Sequence, residues 1–148
     1  MGLSDFIDTS RIKFLTSHNK FQAIEELALV FDKSEICSDI KVLISSLKER
    51  EEIMSTGIGF GIAIPHAKIE GIKALSFAVG ISKQGIDFDS MDGLPVNLII
   101  LVVAGNNQHR EYLGLLSSIM SLLKINDVKD RIIASSSPED VMKLICEC

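Results

Sequence analysis

The sequence has no apolar run long enough to cross a bilayer. The longest candidate, residues 94–104, contains Asn97 and falls short of the roughly 20 residues that a membrane-spanning helix needs. The chain also begins without the positive region and apolar core of a secretory signal. These absences predict a cytoplasmic protein that does not insert into a membrane.

Cysteine is scarce, and positive charge is not in excess. Three cysteines, an odd number in a chain without a secretory signal, indicate reduced thiols rather than a disulfide framework. Cys146 and Cys148 could bind a metal together with a histidine, but one Cys-x-Cys pair lacks the usual zinc spacing. We therefore expect no metal and no cofactor. The net charge of -5 offers no basic face for nucleic acid, which excludes that partner class.

What the sequence does have is the composition of one globular domain. Its 148 residues are 47% hydrophobic and 24% charged, and they contain no repeat, low-complexity tract or linker. We therefore expect a single domain over residues 1–148.

Hydrophobic periodicity alternates between helical and strand patterns, which predicts an α/β (α+β) fold. Strands are expected at residues 12–15, 62–64, 75–81 and 96–103. Because residues 98–103 are apolar at every position, that strand should be central, in a mixed sheet of about four to five strands with helices on both faces. Helices are expected from about residue 19, from about residue 40 to Glu52, over 108–123 and from Pro138. In the helix over 108–123, the residues expected to face inward are Leu113, Leu116, Met120 and Leu123.

The stretch over residues 55–66 is the most informative local pattern. Glycines occupy alternate positions at 57, 59 and 61, and a short apolar strand then runs to Pro65 and His66. Because proline cannot donate to a sheet ladder, the strand should stop or lie at an edge at Pro65, and His66 should sit where the chain leaves the sheet. A neutral imidazole keeps a lone pair that can attack phosphorus. The alternative interpretation is a structural histidine at a strand end.

Residues 50–68 resemble the active-site signature of the enzyme IIA family of the phosphoenolpyruvate-dependent sugar phosphotransferase system. The resemblance is closest to the fructose and mannitol type, which includes the nitrogen-regulatory branch. It continues in the acidic turn over residues 87–96, with its Asp-Gly-x-Pro-Val pattern, and in the segment 108–113 around a second histidine. In all, it extends from about Ile12 to the C-terminus.

The resemblance implies roles for three residues. His66 matches the histidine that accepts a phosphoryl group from a small histidine phosphocarrier protein and passes it to an enzyme IIB. His109 matches a second histidine, which opens a long helix beside the first and supports the phosphoryl group, and Arg50 is expected to stabilise the phosphoryl oxygens. The local sequence alone instead favours a capping or surface residue at His109 and, at Arg50, a cation that is favoured by a helix C-terminus.

Two other enzymatic interpretations fit less well. A dinucleotide-binding glycine loop requires a strand before the loop and a helix after it, and here the order is reversed. A metal-dependent hydrolase using His66, His109 and the acids of residues 87–92 lacks a recognisable ligand spacing.

The resemblance leaves two functions open. The chain could be a sugar-transport IIA that donates to an enzyme IIB, or a nitrogen-regulatory IIA whose phosphorylation state controls its binding to other proteins. Phe60 departs from the family pattern, because that loop position is more often polar or charged, and an exposed aromatic there could affect partner choice. His18 has no counterpart in the pattern and is expected at the surface.

Overall fold

The computed structural model describes residues 2–125 and 127–146, which form one mixed sheet flanked by helices. Its strands are β1 (Ile12–Phe14), β2 (Gly57–Gly59), β3 (Ile62–Ala63), β4 (His66–Lys68), β5 (Ser76–Ile86) and β6 (Val96–Ala104). Its α-helices are α1 (Lys20–Ala28), α2 (Ile40–Ile53), α3 (His109–Leu123), α4 (Val128–Ala134) and α5 (Pro138–Cys146). The predicted fold class is therefore confirmed.

Strand β6 lies at the centre of the sheet, as its uninterrupted apolar sequence predicted. It pairs antiparallel with β5 on one side and parallel with β3 and β4 on the other. β1 extends the sheet beyond β5, and β2 extends it beyond β3. The segments that carry the candidate site are therefore attached to the most buried strand.

Both faces of β6 are covered by helices. Because alternate side chains of a strand point to opposite faces, β6 contributes to two separate cores. Leu98, Ile100 and Val102 belong to a core that includes buried residues of α3, α4 and α5. Ile99, Leu101 and Val103 belong to a second core with α1 and α2. This arrangement confirms the prediction of helices on both faces.

Strand β3 stops before Pro65, as predicted, but the chain does not leave the sheet there, contrary to the prediction. The ladder is interrupted only briefly: the Pro65 carbonyl still accepts a hydrogen bond from the Val102 amide, 3.0 Å away. His66 then pairs with Val102 as the first residue of β4. Proline removes a donor but not an acceptor, so the strand resumes immediately after it. With β2 and β4, the sheet has six strands within the described part of the chain, more than the four to five expected.

The inward face of α3 differs from the predicted one. Its buried residues are Tyr112, Leu115, Ile119 and Leu122. Leu113 is 51% exposed, while Leu116, Met120 and Leu123 pack only partly against the core. The sheet therefore selects the stripe that begins at Tyr112, one residue before the Leu113 that began the predicted face. No helix in the part of the chain that the structure describes is both long and apolar enough to span a bilayer.

Candidate functional site

His66 is half-buried at the start of β4, and its ring is anchored to the backbone. Its Nδ1 lies 3.1 Å from the carbonyl oxygen of Ile64. Since a carbonyl can only accept a hydrogen bond, this contact requires the proton on Nδ1. In the neutral ring, Nε2 is then the nitrogen that carries the free lone pair.

The surroundings of His66 also favour its neutral form. Burial is the main cause that lowers the pKa of His66 below its usual 6.5, and the positive charges of Arg50 and Lys68 lower it further. The hydrogen bond to Ile64 and the negative charge of Glu51 act in the opposite direction, but the net shift is downward. At neutral pH the imidazole is therefore an uncharged base.

An open cleft of about 350 Å³ adjoins His66. It lies between the end of α2, the hairpin of β2 and β3, and α3. Its lining is mainly apolar but includes a cation and the imidazole: Arg50, Ser55, Thr56, Ile58, Ile64, His66, Tyr112, Leu116 and Met120. An apolar cleft with a few convergent polar groups is typical of a binding site.

Arg50 occupies the last turn of α2 and reaches this cleft. Its Nη1 donates a hydrogen bond of 2.6 Å to the carbonyl oxygen of Met54, the C-terminal cap of α2. The structure therefore bears out the helix-end interpretation of Arg50 and also places its positive charge beside His66. The two roles are compatible because a guanidinium has five N–H donors and this bond uses only one nitrogen.

His109 begins α3 and is exposed, and it joins the site through two neighbours. Its Nδ1 lies 2.6 Å from Nζ of Lys68. The ring centroid of Tyr112 is 6.2 Å from that of His109 and 5.7 Å from that of His66. His66 and Lys68 are two residues apart on β4 and therefore point to the same side of the strand. The structure thus brings the two predicted histidines to one region, with Tyr112 next to both rings.

Lys68 and Tyr112 were not among the residues predicted for the site. Nζ of Lys68 lies 5.2 Å from the centroid of the Tyr112 ring, within cation–π range. Spacing indicates only that each residue lies on the same side of its element as one of the histidines. Lys68 follows His66 by two positions, the repeat of a strand, and Tyr112 follows His109 by three, close to one helical turn.

The tip of the hairpin formed by β2 and β3 presents Phe60, which is 76% exposed as expected. Its backbone has a left-handed φ of 58°, and it lies between two glycines that also have positive φ. Asp92 accepts a hydrogen bond from the Phe60 amide, and Lys129 donates one to the Phe60 carbonyl. The predicted acidic turn therefore fixes this tip. His18 is also exposed, as expected.

The structure offers no support for the metal interpretations within residues 2–125 and 127–146. Across those ranges, no group of three or more histidine, cysteine, aspartate or glutamate residues is arranged to hold an ion. Cys148, half of the Cys-x-Cys pair, lies outside the described residues.

Comparisons with known proteins identify a family model and relatives that match this chain along most of its length. The family model described as "Phosphoenolpyruvate-dependent sugar phosphotransferase system, EIIA 2" matches residues 5–148. The chain is 31% identical to the PTS system fructose-specific EIIABC component of Bacillus subtilis over 98% of its own length, but it spans only 23% of that protein. It is 30% identical to a nitrogen regulatory protein of Pseudomonas aeruginosa, covering 87% of this chain and 84% of the relative.

A solved structure shows the same fold along nearly the whole chain. The nitrogen regulatory protein IIA-Ntr from Neisseria meningitidis superposes with a TM-score of 0.88 and 27% identity, covering 97% of this chain and 98% of that one.

Proposed function

Because the chain belongs to the EIIA 2 family of the phosphoenolpyruvate-dependent sugar phosphotransferase system, we propose that it is a phosphocarrier that uses His66. It accepts a phosphoryl group from a histidine phosphocarrier protein in the cytoplasm and passes it to an enzyme IIB for sugar uptake. The observation that carries this proposal is the contact between Nδ1 of His66 and the Ile64 carbonyl, which leaves the Nε2 lone pair free.

The chemical step follows from that contact. The Nε2 lone pair of His66 forms a bond to phosphorus while the bond from phosphorus to the donor's ring nitrogen breaks, and that nitrogen keeps the electron pair. Nδ1 of His66 retains its proton, so the ring becomes positively charged as the new bond forms. The Ile64 carbonyl, 3.1 Å from Nδ1, then stabilises this charge.

The phosphoryl oxygens require positive charge and donors, because phosphoryl transfer depends chiefly on positioning and charge stabilisation. Arg50 supplies a permanent cation at the cleft. The Lys68 ammonium has only donors, so its 2.6 Å contact makes Nδ1 of His109 the acceptor. In the neutral His109 ring Nε2 therefore carries the hydrogen and can donate to a phosphoryl oxygen.

The apolar part of the cleft suits a partner that brings its own histidine to His66. Ile58 is 44% exposed, and Leu116 and Met120 are partly buried. Burying these side chains against a partner removes water from the reacting groups, which strengthens the electrostatic interactions among them.

A second candidate function is regulatory, and the relatives give it a specific basis. The fructose-specific and nitrogen-regulatory relatives are equally similar to this chain, at 31% and 30% identity. In that case the phosphoryl group on His66 adds negative charge and hydrogen-bond acceptors to the docking face, and this change determines which partner binds.

The test is intact-mass analysis after incubation with phosphoenolpyruvate, enzyme I and the histidine phosphocarrier. We expect one acid-labile phosphoryl group on the wild type and none on His66→Ala. His18→Ala replaces an exposed histidine elsewhere and should be phosphorylated normally. Full phosphorylation of His66→Ala would refute the assignment. Transfer from the phosphorylated protein to a purified enzyme IIB favours transport, and its absence with all the organism's IIB proteins favours regulation.

A further inference from the structure

A buried carboxylate lies directly behind the cleft. The Glu51 side chain is fully shielded from solvent, whereas the preceding residue, Arg50, lines the cleft. Glu51 accepts hydrogen bonds from the Thr56 amide, at 3.0 Å, and from the Thr56 hydroxyl, at 2.5 Å. Lys20 lies 3.4 Å away as its ion-pair partner. A buried charge is costly unless it is paired and hydrogen-bonded, so this arrangement holds Thr56 tightly.

Hydrogen bonds continue from Thr56 to His66. The Thr56 carbonyl accepts a bond of 3.0 Å from the Ile64 amide. The Ile64 carbonyl in turn accepts the bond from Nδ1 of His66. Thr56 and Ile64 are both buried, with 5% and 8% exposure. A continuous series of contacts therefore joins the buried carboxylate to the nitrogen of His66 that does not react.

We propose that Glu51 is a positioning residue for His66. By fixing Thr56, it fixes the Ile64 carbonyl and so keeps the proton on Nδ1 and the lone pair on Nε2. Its negative charge also stabilises the positive ring that forms when Nε2 bonds to phosphorus. This inference rests on the proposed phosphocarrier function and adds a residue to its site.

Glu51 opposes the positive charges around His66. Arg50 and Lys68 attract the phosphoryl oxygens but disfavour a positive imidazole ring. Glu51 is the negative charge that offsets them at the ring. The charged or titratable groups near His66 are, by element, Arg50 and Glu51 of α2, Lys68 of β4, and Tyr112 and His109 of α3.

The test is NMR of the unphosphorylated protein labelled with ¹⁵N at histidine. In Glu51→Gln we expect the His66 nitrogen shifts to move toward a mixture of tautomers. We also expect the pKa of His66 to fall further, because a nearby negative charge that favours the protonated ring has been removed. The initial rate of phosphoryl acceptance should fall at least about tenfold.

Glu26→Gln is the matched control. Glu26 also lies on a helix and accepts bonds from neighbouring backbone and hydroxyl groups, namely the amides of Thr16 and Ser17 and the hydroxyl of Ser17. It stabilises a different loop. We expect Glu26→Gln to leave the nitrogen shifts and the pKa of His66 as in the wild type.

Thr56→Val serves as a second variant where Glu51→Gln does not fold. It removes the hydroxyl bond to Glu51 but keeps the amide, so the nitrogen shifts of His66 should move in the same direction by a smaller amount. Thr56→Ser should restore them. A folded Glu51→Gln or Thr56→Val protein whose His66 shifts and pKa match the wild type would overturn the inference. Because the NMR measurement needs no phosphoryl donor, it gives its answer whether or not His66 accepts a phosphoryl group.

Discussion

At the scale of single residues, the reactivity of His66 originates in its own backbone. The Ile64 carbonyl, which lies between β3 and β4 and two residues before the imidazole, sets its tautomer. His109 is different, because its proton position depends on Lys68, which belongs to another element. The two histidines therefore differ in what sets their proton positions: a backbone carbonyl two residues away for His66, and a side chain that meets His109 only because α3 packs near β4.

Lys68→Met tests this dependence. Methionine keeps an unbranched apolar stem but removes the charge and the donor to Nδ1 of His109. Hydrogen bonds to charged groups contribute about 1.5–3 kcal/mol, so we expect the rate of phosphoryl acceptance to fall about tenfold to a hundredfold. The rate is measured by intact-mass analysis of samples quenched at successive times, with the histidine phosphocarrier limiting.

Lys73→Met provides the control for that experiment. Lys73 is also an exposed lysine, and it lines a different cleft, next to Cys37. Its replacement should leave the rate unchanged. A Lys68→Met protein that is phosphorylated as fast as Lys73→Met would show that Lys68 does not assist the transfer.

The sequence predicted the site residues whose roles the family resemblance implies, and it missed residues whose contacts at the site arise only from tertiary packing. His66 and Arg50 fall within the pattern over residues 50–68, and the structure places both at one cleft. Lys68 lies in the same pattern, but its contact with His109 exists only because α3 begins next to β4. Glu51 also lies there, and no periodic pattern indicates that a charged residue beside a cleft arginine turns inward.

At the scale of elements, the two strands that the sequence did not predict, β2 and β4, are short ones. β5 and β6 are long enough to show their apolar sequence, whereas β2, β3 and β4 have three residues or fewer. Periodicity needs at least four residues to be recognised. β2 and β4 frame the site, so part of its immediate framework was not visible in the sequence, whereas β3 beside them was predicted at residues 62–64.

A glycine substitution tests the packing of β2, one of these short strands. A Cβ at Gly57 in β2 would lie 2.2 Å from Oγ of Ser90 and 3.1 Å from Cβ of Phe88. Because 2.2 Å is closer than a Cβ atom normally approaches another heavy atom, Gly57→Ala should lower the free energy of unfolding by about 1–3 kcal/mol. Urea denaturation monitored by circular dichroism measures the change.

Gly114→Ala is the matching substitution at an open position. Gly114 lies within α3, and a Cβ there meets nothing within 4 Å. Because alanine favours a helix over glycine, we expect this variant to be more stable by about 0.5–1 kcal/mol. Equal effects of the two substitutions would mean that β2 does not pack against the 88–90 segment as described.

At the scale of the whole molecule, the fold is organised around the central strand β6. β6 is apolar on both faces and joins two cores, and all the strands that carry the site reach the sheet through it. This is why the fold class could be predicted from composition and periodicity alone. The same arrangement links the protonation of His66, partly buried on β4, to the stability of the entire domain.

That link predicts a pH dependence of stability. Burial, the largest cause, and then the nearby cations lower the pKa of His66 in the folded protein, so the unfolded chain binds its proton more readily. The stabilisation that comes from the neutral His66 is therefore complete above the unfolded pKa of about 6.5 and is lost as pH falls through the lower folded value.

The variant His66→Gln tests this dependence because its side chain at position 66 cannot titrate. Urea unfolding from about pH 8 to about pH 5 should show the wild type losing stability relative to His66→Gln as pH falls below about 6.5. The lowered pKa values of Asp8 and Glu26 act at lower pH and in both proteins, so they cancel in this comparison. Parallel stability curves for the two proteins across this range would show that burial and the nearby cations do not lower the pKa of His66 in the folded protein.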